Sequence, residues 1–175
     1  LSLFGMPTSA IAKILLGEKD IHPATAETIA SNKSKYFLDS IPQIPLYDGV
    51  PEILSTLHEL GFKICFASAN YNYLIERMME TYNWKPISVG FIGVNDVKHS
   101  KPDPEMLVLA MEKLGTKPEN SVIVGDSEYD ILAGKAAKVM TVAVCTKHDR
   151  KFFEELKTDI ILDKIGDLLE MISGK

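Results

Sequence analysis

The 175-residue sequence lacks long apolar runs, an excess of basic residues and more than two cysteines. No stretch approaches the roughly 18 apolar residues that a membrane-spanning helix needs, so we expect no membrane partner. The formal net charge of −5, without a basic cluster to offset it, argues against nucleic acid as a partner. Both cysteines lie in apolar runs, which is typical of buried free thiols in a cytoplasmic protein. The composition is 46% hydrophobic and 25% charged, as in an ordinary globular protein.

The order of patterns along the chain predicts an α/β protein. Residues 1–46 have helical spacing and form a small helical piece, interrupted and ended by glycine and proline. Over residues 47–175, short apolar segments alternate with helical segments of about ten residues. Parallel strands joined in this way form a sheet covered on both faces, so we predict a three-layer, Rossmann-like core. Ligands of such sheets bind at the carboxyl ends of the strands.

Two aspartates follow the apolar run SVIV, in the segment GDSEYD. Asp126 leaves the predicted strand directly and Asp130 comes one helical turn later. Both carboxylates can therefore face one point, and two hard oxygen ligands with room for waters and a phosphate suit Mg²⁺. The alternative is that Asp126 or Ser127 caps the helix and Asp130 only favours its positive end.

Two further segments combine a polar group with a helix start. Ser68, Ala69 and Asn70 follow the apolar run KICFA, where a hydroxyl and backbone N–H groups can bind an anion. Pro102 keeps Lys101 extended ahead of another helix, where its ammonium can neutralise a phosphate. An ordinary helix cap and a surface lysine are the alternatives. Unrelated caps would not be expected to fall in this order, so the set favours a phosphate site.

These motifs resemble, in the same order, those of the haloacid dehalogenase superfamily, in the branch of phosphoglycolate phosphatase and β-phosphoglucomutase. Ser68 in FASAN matches the second motif, Lys101 in HSKPDPE the third, and Asp126 and Asp130 in GDSEYD the fourth. The resemblance is close over residues 47–175. It is weaker over residues 1–46, which would be part of a helical cap.

The resemblance implies a Mg²⁺-dependent cytoplasmic phosphatase that hydrolyses a small phosphorylated metabolite. Ser68, with Ala69 and Asn70, would bind the phosphoryl oxygens and Lys101 would neutralise the phosphate. Asp126 would ligate Mg²⁺, with Asp130 as a supporting or water-mediated ligand. An attacking carboxylate and the phosphate repel each other, because both are negatively charged. Each pair of unit charges 4 Å apart costs about 4 kcal/mol at an effective dielectric constant near 20, and the lysine and the metal would offset this cost.

The sequence departs from the family in its first motif, DxDG, whose first aspartate is the nucleophile. The nearest candidate, Asp48-Gly49, has Leu46 where that aspartate is needed. The missing strand would lie between those that carry Ser68 and Asp126, so we expect unpaired inner edges there. Because the sequence opens with Leu1, we expect the nucleophile upstream or on another chain, and this N-terminally truncated chain to be inactive alone.

Two alternatives to a phosphatase remain open on the sequence alone. A phosphomutase of this branch carries an acidic residue before the first aspartate of the fourth motif, and Gly125 in that place favours a phosphatase. A non-catalytic relative that kept the phosphate site, as a binding or regulatory protein, is supported by the absent first motif.

Overall fold

The computed structural model describes residues 23–173. The helices are α1 (Pro23–Ser40), α2 (Val50–Glu59), α3 (Asn72–Thr81), α4 (Glu105–Leu114), α5 (Glu128–Ala137), α6 (Arg150–Glu155) and α7 (Asp167–Ser173). The strands are β1 (Cys65–Ala67), β2 (Gly90–Ile92), β3 (Val122–Gly125), β4 (Met140–Val144) and β5 (Ile160–Leu162). Strands and helices alternate from α2 onward, which confirms the predicted α/β class. The helical segment expected before residue 23 lies outside the described residues.

The strands form two separate parallel sheets. β1 pairs with β2, and β3, β4 and β5 pair in that order. Within residues 23–173, no strand pairs with the edge of β1 opposite β2 or with the edge of β3 opposite β4. These are the two strands whose inner edges the sequence predicted to be unpaired.

The three-stranded sheet has helices on both faces. On one face, Ile123 of β3 packs with residues of α4 and α5, and Phe153 of α6 packs on Ala143 of β4. On the other face, Ile53 of α2 packs with Val142 of β4 and with residues of β5 and α7. This is the predicted three-layer arrangement, with β4 at its centre.

Helices cover only one face of β3. Ile123 is 9% exposed, whereas Val122 and Val124, on the other side of the strand, are 53% and 41% exposed. The physical reason is position, because α2 and α7 pack over β4 and β5 while β3 is an edge strand. β1 also departs from the predicted coverage of the sheet on both faces, because it is only partly buried along its length.

Aromatic side chains connect β1 to the segment that follows α1. The indole of Trp84 stacks on Phe66 of β1, with ring centroids 5.0 Å apart, and lies against Tyr82. The Tyr82 hydroxyl lies 2.7 Å from the carbonyl oxygen of Ile41 and 2.8 Å from that of Ile44. These bonds tie the end of residues 23–46 to α3; the division into a cap and a core at residue 46 stays a prediction.

None of the helices between residues 23 and 173 is both long enough and apolar enough to cross a membrane.

Candidate active site

Lys101 lies where the carboxyl ends of the two sheets approach each other. Its ammonium donates to the carbonyl oxygen of Ala67, the last residue of β1, at 3.1 Å. It also donates to Asp130 Oδ1, in the first turn of α5, at 2.6 Å. The two side chains are only 10% and 11% exposed. The structure thus brings together two of the predicted site residues, from the third and fourth motifs.

The loop that carries Lys101 is fastened to the start of α4 by Glu105. The Glu105 carboxylate accepts the backbone N–H of Lys98 and that of His99 at 2.9–3.1 Å. These bonds lower the pKa of Glu105, and the bond from Lys98 has the largest effect. Asp103 accepts the backbone N–H of Glu105, at which α4 begins.

Asp130 has both carboxylate oxygens engaged. Oδ1 binds Lys101, and Oδ2 accepts the backbone N–H and the hydroxyl of Ser127, at 3.2 and 2.6 Å. Burial raises the pKa of Asp130, but the charge and hydrogen bond of Lys101 and the bonds from Ser127 outweigh it, so the pKa lies below 3.8. Ser127 caps the helix, as one alternative of the sequence had it, and Asp130 completes the capping box. The contact of Asp130 with Lys101 was not predicted from the sequence. Its role as a metal ligand stays a prediction.

Gly125, at the end of β3, leaves the space that Asp130 occupies. A Cβ atom on Gly125 would lie 2.4 Å from Asp130 Cβ and 2.5 Å from its Cγ. A side chain at position 125 would therefore displace the carboxylate that holds Lys101. The absence of an acidic residue there, read from the sequence as a mark of a phosphatase, also has a packing cause.

Asp126 contacts the loop that follows β4. Its Oδ2 accepts the Thr146 hydroxyl at 2.9 Å and lies 2.8 Å from the Lys147 ammonium. Thr146 and Lys147 were not among the site residues predicted from the sequence. The rule that located the other site residues would have found them, because TKHD directly follows the apolar run MTVAVC.

Ser68 and Asn70 form a turn directly after β1. The Ser68 hydroxyl accepts both the backbone N–H and the side-chain amide of Asn70, each at 3.2 Å. Neither residue caps α3, whose N-cap is Tyr71 and has no side-chain cap bond. Ser68 adjoins Ala67, to which Lys101 binds, so the predicted phosphate-binding segment, Ala69 included, lies at the same strand end as the lysine.

The donor set at Asp126 fits a magnesium ion. Its side chain is 29% exposed, and the contacts from Thr146 and Lys147 are both made to Oδ2. Hard carboxylate oxygens with access to water are what Mg²⁺ binds, usually through one or two carboxylates. The oxygens of Asp130 are instead shared between a lysine and a helix cap, so Asp126 is the better candidate for direct ligation.

Comparisons with known proteins identify the family of the chain. A family model described as haloacid dehalogenase-like hydrolase matches residues 1–144. The pyrophosphatase PpaX of Bacillus mycoides is 35% identical over 128 residues, which are 73% of this chain and 60% of that protein. PpaX of Halalkalibacterium halodurans is 32% identical over 130 residues. The chain spans about 60% of the length of these relatives.

Solved structures share the fold at low sequence identity. A hydrolase from Pseudomonas syringae has a TM-score of 0.84 and 21% identity, covering 98% of this chain and 80% of that one. A β-phosphoglucomutase from Clostridium difficile also has a TM-score of 0.84, with 18% identity over 98% of this chain and 78% of that one. At this identity the similarity establishes the architecture alone.

Proposed function

The chain belongs to the haloacid dehalogenase-like hydrolase family, and on this premise we propose that it supplies the phosphate-binding and metal-binding residues of a phosphohydrolase. One observation carries the proposal: the buried Lys101 ammonium bridges the end of β1 and Asp130 in the fourth motif. A fixed cation at the carboxyl ends of two parallel sheets is suited to receive a phosphate.

Each site residue has a defined task in this proposal. Ser68, with the backbone of Ala69 and Asn70, binds phosphoryl oxygens, and Lys101 neutralises their charge. Asp130 keeps Lys101 in place through the 2.6 Å contact. The first turn of α5 is already held by its capping box, so the lysine is positioned before substrate binds.

Asp126 would hold the divalent cation, which we propose is Mg²⁺, with Asp130 as supporting or water-mediated ligand. Bound there, the ion supplies Lewis-acid stabilisation of charge on a transferring phosphoryl group. The chain's own contribution is to orient Asp126, since Thr146 donates to its Oδ2.

The nucleophile is proposed to be an aspartate outside this chain. The unpaired edges of β1 and β3 support this, because each could accept a parallel strand. A strand between them would end between Ser68 and Asp126, where a carboxylate would meet a phosphate held by Lys101. The partial helical cap of residues 1–46 and a cytoplasmic location belong to the same proposal.

The proposed substrate is a small phosphorylated metabolite, and two chemical types are favoured. Phosphomonoesters such as phosphoglycolate follow from the motif resemblance. Inorganic pyrophosphate is the second, because relatives that are 32–35% identical are named pyrophosphatases. In both, a terminal phosphoryl group is transferred to a carboxylate and then to water.

The test uses the 175-residue chain and the product of the complete reading frame. The longer protein should hydrolyse p-nitrophenyl phosphate, phosphoglycolate or pyrophosphate in the presence of Mg²⁺. Lys101→Ala and Asp126→Ala should each abolish turnover. The control is Lys151→Ala, which removes an exposed lysine of α6 and should leave turnover intact. The 175-residue chain should bind inorganic phosphate without turnover; hydrolysis by the purified chain would contradict an external nucleophile.

A non-catalytic phosphate-binding or regulatory protein is the alternative, supported by the absent DxDG motif. A longer protein that binds phosphate through Lys101 and never turns over any of these substrates would favour it.

A further inference from the structure

A histidine and a glutamate face each other beside Asp126, and the proposed reaction uses neither. His148 Nε2 lies 3.5 Å from Glu128 Oε2, and the two side chains are 19% and 18% exposed. Both atoms are fully shielded from solvent and have no hydrogen-bond partner within residues 23–173. Buried polar atoms are nearly always paired, so two such atoms facing each other require an explanation.

Aromatic rings fix the position of the imidazole. His148 stacks on Phe152 with ring centroids 4.0 Å apart, and Phe153, fully buried, meets it edge-on at 6.0 Å. These rings offer no hydrogen bond to Nε2. The carboxylate of Glu128 is the acceptor nearest to that atom among the described contacts, and a small rotation of either side chain brings the pair into bonding distance.

The two residues belong to the two segments that meet at Asp126. Glu128 begins α5, two residues after Asp126. His148 lies in the loop after β4, two residues after Thr146, whose hydroxyl binds Asp126 Oδ2. A bond between Glu128 and His148 would therefore close a ring through the Thr146–Asp126 contact, and it would fix the direction of the Asp126 carboxylate.

We propose that His148 and Glu128 form a hydrogen-bonded pair that positions Asp126 by fastening the loop after β4 to the start of α5. Both are positioning residues, because neither touches the expected phosphate or metal. The inference rests on the proposed function only in naming Mg²⁺ as the ion that Asp126 binds. Partners that orient a metal ligand typically change metal affinity by about 10- to 100-fold when removed.

The first measurement needs no metal. Proton NMR of the 175-residue chain should show an exchange-protected imidazole N–H signal of His148. Glu128→Ala should abolish it and speed amide exchange at Thr146, whereas Glu119→Ala, which removes an exposed glutamate, should change neither. An unprotected imidazole N–H in the unsubstituted chain would overturn the pairing.

The second measurement is Mg²⁺ affinity, followed by amide shifts at Gly125 during titration with MgCl₂. Glu128→Ala and His148→Phe should each weaken Mg²⁺ binding about 10-fold or more. The double variant should bind Mg²⁺ no more weakly than the single variant with the lower affinity. Glu128→Gln, which can still accept a hydrogen bond, should retain most of the affinity. The matched control His58→Phe should bind as the unsubstituted chain does.

The outcomes separate the two proposals. Unchanged Mg²⁺ affinity in both Glu128→Ala and His148→Phe would overturn the positioning role even if the chain binds Mg²⁺. If the unsubstituted chain binds no Mg²⁺, the metal proposal fails, and amide exchange at Thr146 then decides the positioning role. Unchanged exchange in Glu128→Ala overturns it, and faster exchange supports it.

Discussion

Lys101 Nζ lies 2.6 Å from Asp130 Oδ1, in a contact between two side chains that are nearly excluded from solvent. The residues come from different motifs, 29 positions apart. Within the described chain, the same ammonium also reaches the end of β1, which belongs to the other sheet. The pair therefore joins the two halves of the molecule at the point where the phosphate is expected.

Lys101→Met should destabilise the chain strongly. It leaves the Asp130 carboxylate buried without its cation, and loss of one partner of a buried ion pair typically costs about 3–5 kcal/mol. The double variant Lys101→Met/Asp130→Asn should recover much of this free energy, because no unpaired charge remains. Denaturant unfolding of the three proteins measures both effects.

Lys63→Met is the matched control for this substitution. Lys63 also donates to a backbone carbonyl, that of Leu114, but it is exposed and has no carboxylate partner among residues 23–173. We expect a change within about 0.5 kcal/mol and unchanged binding of inorganic phosphate. A loss of stability in Lys63→Met equal to that in Lys101→Met would show that the buried pair has no special role.

Gly125→Ala should disturb the same pair without removing any charge. The added Cβ would lie 2.4 Å from Asp130 Cβ, so the Asp130 side chain must move away from Lys101. Overpacking of this kind typically costs about 1–3 kcal/mol, and we expect weaker phosphate binding by 31P NMR. Gly166→Ala is the control, because an added Cβ there meets nothing within 4 Å; a neutral Gly125→Ala would contradict the packing argument.

Much of this site could be predicted because one rule, polar residues at the ends of parallel strands, located Ser68, Asp126 and Asp130. The rule does not reveal partners. That Asp130 pairs with Lys101 and with Ser127 depends on the approach of two loops, which sequence spacing does not fix. Nor does apolar spacing show which face of a strand stays open: Val122 and Val124 are as apolar as Ile123, yet only Ile123 lies under helices.

Lys147→Met should increase the affinity of Asp126 for Mg²⁺. The Lys147 ammonium lies 2.8 Å from Asp126 Oδ2 and repels a second cation. Two unit charges 4 Å apart interact by about 1 kcal/mol in water, so a divalent ion is repelled by about 2 kcal/mol and we expect roughly 30-fold tighter binding at low salt. The increase should shrink at high ionic strength. Calorimetric titration measures it, with Lys151→Met as the control for loss of one exposed positive charge.

The carboxylate of Asp159 should make stability depend on acidic pH. It accepts hydrogen bonds from the backbone N–H and the hydroxyl of the buried Thr141. These bonds lower the pKa of Asp159 below 3.8, and the bond from the hydroxyl has the largest effect. Because the folded pKa lies below the unfolded one, the stabilisation is complete above the unfolded pKa and disappears as pH falls through the folded pKa.

Asp159→Asn tests this pH dependence, since the amide oxygen can still accept both bonds but does not titrate. Urea unfolding between pH 2 and pH 6 should show a shallower loss of stability in the variant than in the unsubstituted chain. Equal slopes would mean that Asp159 does not contribute.

Amide exchange should locate the expected additional strand. In the 175-residue chain, the β3 amides directed away from β4 have no strand partner among residues 23–173, so they should exchange quickly. In the product of the complete reading frame they should become protected. Amides of β4, which is paired on both sides, are the control and should be protected in both proteins. Fast exchange of β3 in the longer protein would contradict a strand at this edge.

The stacking of Trp84 on Phe66 gives the protein a built-in optical reporter. Trp84 is the only tryptophan of the sequence and contacts β1, in the two-stranded sheet. Its emission therefore follows the β1–β2 half of the molecule, whereas circular dichroism sums over all helices and strands. If the two sheets unfold independently, the two signals will have different midpoints, and joining them with a further strand should bring the midpoints together.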